Sequence, residues 1–454
     1  MSDYFTQVDA YIDSHLESTL DQLARLVAQP SVSAQQAGID ECAQLVAALL
    51  QESGFQAEIL PTAGNPVVYA EAAGRAETTM LLYLHYDVQP AEPLDLWESP
   101  PFQLTRRGDH LFGRGVSDDK GHIIARLAAL AALRAVGGEL PCRIKFVIEG
   151  EEEIGSPSIH RFVEEHRARL AAQGCIWEFG GVNTQGAPTQ SLGVRGICYV
   201  ELSVQTAQYD AHSGLGGSIF PNAAWRLLWA LSSLKGPDER ILIPDHYAEV
   251  AEPTARDLAL LAELPDESAD WLARYGLSGF LGHLSGGPEL RRRAVFEPTC
   301  TICGLETGYT GPGSKTIIPA RAMAKVDFRL VPNQTPEKLL ARLRDYLDAQ
   351  GFTDVAIRFL GGYPPAKIDP DEPLVQLTNA AALEVYGAPP MVEPMIGGSG
   401  PLASFVHFLG VPVVSAGIGY PGGRVHAPNE NIRLPEFIKG IRHTARIIGR
   451  FAAQ

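Results

Sequence analysis

The sequence predicts an α/β protein, a mostly parallel sheet flanked by helices, interrupted by a smaller inserted α+β domain. Short apolar runs such as TMLLYLHYDV (79–88) and CRIKFVI (142–148) read as strands buried on both faces, and they alternate with helical patterns. From about Gly193 the texture shifts to strands that alternate apolar and polar, and beyond Pro365 the first texture returns. Residues 1–193 and 366–454 are therefore expected to form one domain in two parts, with 194–365 as a second. At 454 residues, two cores are the default.

The elements follow in order. Ile12, Leu16, Leu20, Leu23 and Val27 recur at helical spacing, and Pro30 stops that helix. A second helix runs from about Ile39 to Ser53 and ends at Gly54. Thr79–Val88 is a strand, 122–136 a helix and 142–148 a strand. Ser156 and Pro157 read as the N-cap and first-turn pair of a helix over 158–172. In the inserted part, ICYVELSVQT, RAMAKVDFRLVP and VAIRFLG are strands, while PNAAWRLLWALSSL and TPEKLLARLRDYLDAQG are amphipathic helices. Residues of about 236–295 form a helical excursion. The last stretch holds a helix over 373–387, the strand VPVVSAG and a final helix from Pro435.

Composition narrows the function classes. Apolar content of 45% and charged content of 20% are those of a soluble globular protein. A net charge of −16 argues against a nucleic-acid backbone or anionic membrane surface as partner. No apolar stretch is long enough to span a membrane, and MSDYFTQVDAYIDSHLESTL lacks the basic start and apolar run of a secretory signal. Of six cysteines only Cys300 and Cys303 form a C-x-x-C pair, without a companion pair, so reduced and packed thiols are expected. These features together point to the cytoplasm.

The chemistry lies where the strands end. One strand runs into His85-Tyr86-Asp87, and CRIKFVI runs into EGEEEIGS, with four glutamates within 149–153. GCIW runs into Glu178, and VPVVSAG is followed by a glycine-rich loop to His426. Ligands in open α/β sheets bind beyond the carboxyl ends of the strands. GRGVSDDKG adds Asp118 and Asp119 just before a helix, whose N-terminal dipole favours a carboxylate. Imidazoles and carboxylates converging on one rim are ligands for a borderline metal such as zinc. Cations there also explain how crowded glutamates are tolerated. Asp87 is placed to orient and polarise His85.

At this point the sequence resembles a known family. HYDVQP, GRGVSDDKG, EGEEEIGS, the His-Ser-Gly of YDAHSG and the HAPNE near the C-terminus look like the two-zinc aminopeptidase-fold exopeptidases. That group includes carnosinases and other dipeptidases, bacterial glutamate carboxypeptidases, aminoacylases and succinyl-diaminopimelate desuccinylase. The resemblance implies that Asp118 bridges two zinc ions, with His85 and Glu178 completing one site and Glu153 and His426 the other. Manganese or cobalt suits the same ligands. It further implies Glu152 as general base and a cis peptide between Asp118 and Asp119. Where this chain has Glu178, many members have Asp. The inserted domain resembles the family's lid or dimerisation domain, whose His212 would reach the partner subunit's site in a homodimer and stabilise the oxyanion. Arg329 and Thr316 match positions that bind the substrate's terminal carboxylate, and Gly398 and Ser399 match a loop that does the same from the catalytic domain.

The expected function is hydrolysis of the amide bond of dipeptides or short peptides with a free C-terminal carboxylate. N-acyl-amino-acid amidohydrolase or desuccinylase activity on the same fold is the alternative, and a non-catalytic metal-binding scaffold is the alternative of another class. A serine hydrolase elbow fails because Pro401 ends GGSGP, and none of the twelve histidines begins H-E-x-x-H.

Overall fold

A computed structural model describes residues 2–453. The chain forms two compact units. One comprises Met1–Leu192, Ile368–Pro394 and Pro401–Gln454; the other comprises Gly193–Lys367 and Met395–Gly400. The segment 395–400, assigned on sequence to the catalytic part, thus groups with the inserted unit.

The first unit opens with helices α1 (Ser2–Ser14), α2 (Leu16–Ala28) and α3 (Ile39–Glu52), then strands β1 (Gln56–Leu60), β2 (Val67–Ala72) and β3 (Ala76–His85). The sequence predicts one continuous first helix, but the chain breaks at His15. There Ser14 Oγ and His15 Nδ1 both bond the Tyr11 carbonyl, at 3.0 and 2.9 Å, and compete with the helical ladder. Helix α4 (Lys120–Gly137), strand β4 (Cys142–Glu149), helix α5 (Ile159–Glu165) and strand β5 (Gly174–Trp177) follow. Ser156 is not the cap of α5. It takes a left-handed φ of 47° and turns its hydroxyl to Glu149, leaving Ser158 at the N-cap. The helical stretch also stops at Glu165, and a separate turn of helix spans Arg167–Leu170.

The second unit is a sheet with helices on one face. Its elements are strand β6 (Gly196–Gln205), helix α6 (Ala223–Leu234), the excursion helices α7 (Ala255–Glu263), α8 (Ser268–Tyr275) and α9 (Gly287–Phe296), and strand β7 (Thr299–Thr307). Strand β8 (Arg321–Leu330), helix α10 (Pro336–Ala349) and strand β9 (Ala356–Tyr363) complete it. The order is β7-β8-β6-β9, all antiparallel. Val200 and Leu202 of β6, Val326 and Phe328 of β8, Leu227 of α6 and Leu343 of α10 share its core. The period-2 burial of β6 and β8 is what their alternating sequences predict.

The chain then returns with helix α11 (Pro373–Tyr386), strand β10 (Val413–Ser415) and helix α12 (Leu434–Phe451). The main sheet runs β1-β2-β4-β3-β5-β10. The four strands from β4 to β10 are parallel, and β1 and β2 are antiparallel. Leu81, Leu82, Phe146, Ile148 and Ile176 are fully buried in it, each contributing about 1.5–3 kcal/mol of burial. In register, His85 of β3 lies opposite Glu149 of β4, so both runs deliver their polar ends to one rim. Among the described residues no helix is long and apolar enough to cross a membrane.

Candidate metal centre

The rim gathers His85, Asp87, Asp118, Glu152, Glu153, Glu178 and His426 in the first unit. Asp118 is the hub. Its Oδ1 lies 2.9 Å from His85 Nε2 and its Oδ2 3.0 Å from His426 Nε2. His426 Nε2 is also 3.1 Å from Glu153 Oε2, and His85 Nε2 is 3.9 Å from Glu178 Oε2. Two sets of donor atoms fall within 4.8 Å of one another: His85, Asp119 and Glu178, and Asp118, Glu153 and His426.

Each side chain is held from behind. His85 Nδ1 donates to the Asp87 carbonyl at 3.0 Å, which fixes the tautomer and leaves Nε2 facing the cluster. Asp87 does more than the orienting role its sequence position suggests. Its carboxylate, 3.4 Å from His85 Nδ1, accepts the N–H groups of Glu152 (3.2 Å) and Glu153 (3.0 Å). Gln89 Nε2 donates to Glu153 Oε2 at 2.9 Å. The peptide between Asp118 and Asp119 is cis. Asp119 turns the other way: one oxygen accepts the His85 N–H, and the other lies 2.7 Å from His122 Nδ1. His122 Nε2 accepts from Ile418 N–H, so its Nδ1 carries the proton that meets Asp119. Asp118 is left as the carboxylate free to face both histidines.

The four glutamates have separate environments. Glu149 points inward, accepting from Tyr83 (2.5 Å) and Ser156 (3.0 Å). Glu151 accepts the Asn65 N–H. Glu153 joins the cluster, and Glu152 stands beside it. Gly150 between them is required, because a Cβ there would collide with the Tyr86 hydroxyl.

Electrostatics reflect the burial and the negative charge concentrated in the cluster. Burial pushes the Glu152 carboxyl up to about 7, with Asp118 and Glu153 adding to it against His85. Burial also holds Glu178 well above the carboxylate range, and its Oε2 is buried with no hydrogen-bond partner. His426 is raised to about 10 by its bonds to Asp118 and Glu153. Burial pushes Asp118 up, but hydrogen bonds from His426 and His85 more than offset it and hold the carboxyl below its usual range. An orphaned carboxylate oxygen, two imidazoles presenting Nε2 and a carboxylate spanning both fit a pair of borderline divalent cations.

The remaining predicted residues lie in the second unit. His212, exposed, accepts the Gly214 N–H at Nδ1 and pairs in a short strand with Ile317, beside Thr316. Arg329, at the end of β8, donates to Ser399 Oγ (2.8 Å) and to Asp327 (3.1 Å). Gly398 accepts the Arg195 N–H, so the 395–400 loop is fastened within this unit rather than the catalytic one. Sequence reasoning placed Asp119 beside Asp118 but missed its partner His122, and it missed Gln89 and Glu430. Gln89 and Glu430 sit inside the HYDVQP and HAPNE motifs, but their partners are side-chain and main-chain groups that no spacing announces.

Imidazoles and carboxylates collected at the carboxyl ends of a parallel sheet, around one shared aspartate, define a metalloenzyme of the α/β class. Residues 81–450 match peptidase family M20/M25/M40, and the chain belongs to that family of metallopeptidases. It is 30% identical to the human Beta-Ala-His dipeptidase, over 83% of this chain and 76% of that protein. It is 28% identical to the Cys-Gly metallodipeptidase dug1 of Schizosaccharomyces pombe, over 95% of each chain. Among solved structures it resembles an M20 family metallo-carboxypeptidase, Sso-CP2, from Sulfolobus solfataricus. That match has a TM-score of 0.91 and 35% identity, covering 96% of this chain and 99% of the other.

Proposed function

We propose that this metallopeptidase hydrolyses dipeptides and other short peptides that end in a free carboxylate. The observation that carries the reading is Asp118 suspended between His85 and His426, with the unpartnered Glu178 oxygen on the same rim. The dipeptidase relatives support the substrate class. The residues assigned to hold two cations are His85, Asp118 and Glu178 on one side and Asp118, Glu153 and His426 on the other. Cations held there would supply an acidified water, its pKa lowered from about 15.7 towards 7, and a Lewis acid for the scissile carbonyl.

The chain's own residues do the rest. Glu152, buried beside the ligand set and raised to about 7 in the metal-free chain, is assigned to take the proton from the attacking water and return it to the leaving amine. Asp87 fixes the main chain of Glu152 through its N–H, so base and ligands keep a constant relation. His212 is assigned to the developing oxyanion, supplied by the partner subunit of a homodimer. Arg329, oriented by Asp327 and Ser399, is assigned to the substrate carboxylate with Thr316, Gly398 and Ser399. A dimer through the inserted unit is supported by the exposed apolar residues Ile219, Phe220, Trp225 and Trp229. Zinc is the metal this donor set favours, with manganese and cobalt as the competing ions. Six free cysteines support a reducing, cytoplasmic location.

A panel of dipeptides, longer peptides and N-acyl amino acids, assayed with and without a chelator, tests the reading. Hydrolysis of dipeptides that stops on chelation and returns with zinc supports it. Turnover confined to N-acyl amino acids would transfer the assignment to the amidohydrolase alternative, and metal binding without any turnover would favour a scaffold. Mixing inactive Glu152→Ala and His212→Ala subunits tests the shared site. Recovered activity is expected, and none despite subunit exchange would return His212 to a role within one chain.

A further inference from the structure

One buried carboxylate beside the ligand set has no part in the proposed chemistry. Glu430 is fully buried, and its two oxygens accept four hydrogen bonds. Oε2 takes Arg114 Nη1 at 2.7 Å and the Gly115 N–H at 3.0 Å. Oε1 takes the Ser117 N–H at 2.9 Å and the Asp118 N–H at 3.0 Å. The two chain segments meet because 110–112 and 431–433 pair as antiparallel strands, with His110 opposite Arg433 and Phe112 opposite Asn431. The pairing extends one step further, where the Gly113 N–H donates to the Glu430 carbonyl at 3.1 Å. Residues 113–118 are thus wrapped around one side chain that lies four positions after His426.

Such an arrangement is more than a buried ion pair. One salt bridge to Arg114 would satisfy part of the desolvation cost, and a hydrophobic replacement often serves stability as well. The three main-chain N–H groups are what distinguish it, because they fix the backbone at and just before Asp118. His426 itself adopts a left-handed φ of 64° in the turn leading to Glu430. We propose that Glu430 is a positioning residue for Asp118. It ties the Asp118 main chain to the His426 turn, so the two Asp118 oxygens reach His85 and His426 at the same time. The inference rests on the two-cation reading and deepens it.

The test uses full-length, zinc-loaded protein titrated with a chelating dye, which reads zinc affinity without reference to turnover. In Glu430→Leu both oxygens are lost, so the Ser117 and Asp118 N–H groups lose their acceptor together with Arg114 and Gly115. Zinc affinity is expected to fall by about 10–100-fold, the range typical of partners that orient ligands. Arg114→Lys is the control. It disturbs the same buried carboxylate and keeps its charge balance, but leaves the Ser117 and Asp118 bonds in place, so zinc affinity stays near wild type even where thermal stability drops. If Glu430→Leu does not fold, Glu430→Ala, which also removes both acceptor oxygens, is read instead with the same expected loss. Unchanged zinc affinity in the folded Glu430 variant overturns the proposal, and so does an equal loss in Arg114→Lys. Wild-type protein that binds no zinc would instead overturn the two-cation reading on which it stands.

Discussion

The two halves of the cluster use the same donor types in unlike surroundings. His85 and Glu178 on one side are buried, whereas on the other side the exposed His426 opens the cluster to solvent, with Glu153 beside it and Asp118 between the two sides. The buried half has little access to water and carries the orphaned Glu178 oxygen. The open half is held through Gln89 and the Asp87 carboxylate and keeps a face towards solvent. On the two-cation reading, the contrast is the one between a closed site that would retain its ion and an open one that would leave a position for water or substrate. Asp118 belongs to both, and Glu152 stands beside them without belonging to either set.

The comparison is sharpest at Glu152. Glu152→Gln is expected to cut dipeptide turnover by about 10²–10⁴-fold while both cations remain, as metal analysis of the purified variant would report. Loss of metal along with activity would make Glu152 a ligand and dissolve the distinction. Next in size is the order of metal release. Chelator titration of the wild type should remove one cation before the other; His426→Ala should abolish the easily lost one and Glu178→Ala the retained one. If the two variants release metal identically, the halves are equivalent despite their burial. Gln89→Leu should weaken only the open half, by about 10–100-fold, since Gln89 orients Glu153.

The smallest effect is in pH. In the metal-free chain His426 is raised to about 10. Its ion pairs stabilise that form fully below about 6.5, and the contribution is lost as pH rises towards 10. Metal affinity runs the opposite way, because the ring must shed its proton to ligate. Calorimetry in buffers of different ionisation enthalpy should find proton uptake by buffer on zinc binding at pH 8, and His426→Ala should reduce it.

The rim was legible in the sequence because its strands are apolar runs that stop abruptly at charged residues. β3 ends at His85, β4 at Glu149, and Glu178 follows β5 directly. What sequence could not reveal is which main-chain groups a carboxylate collects. Asp87 and Glu430 each accept N–H groups from segments remote in the chain, and such bonds have no periodicity. The fold shows the same division. The alternating β6 and β8 were plain, whereas β7 was overlooked as a strand. It lies at the sheet edge with Ile302 and Leu305 exposed, and its register slips between Ile302 and Gly304, which blurs the period. Residue type favours Ser156 as a helix cap, but its backbone is left-handed and its hydroxyl donates to Glu149 instead.

The shared aspartate is the point on which the account stands, and metal counting on Asp118→Asn measures it directly. Wild-type protein saturated with zinc and then desalted should carry two ions per chain, and the folded variant no more than one, weakly held. Two tightly bound ions in Asp118→Asn would contradict a hub at this residue, whatever the rest of the rim does.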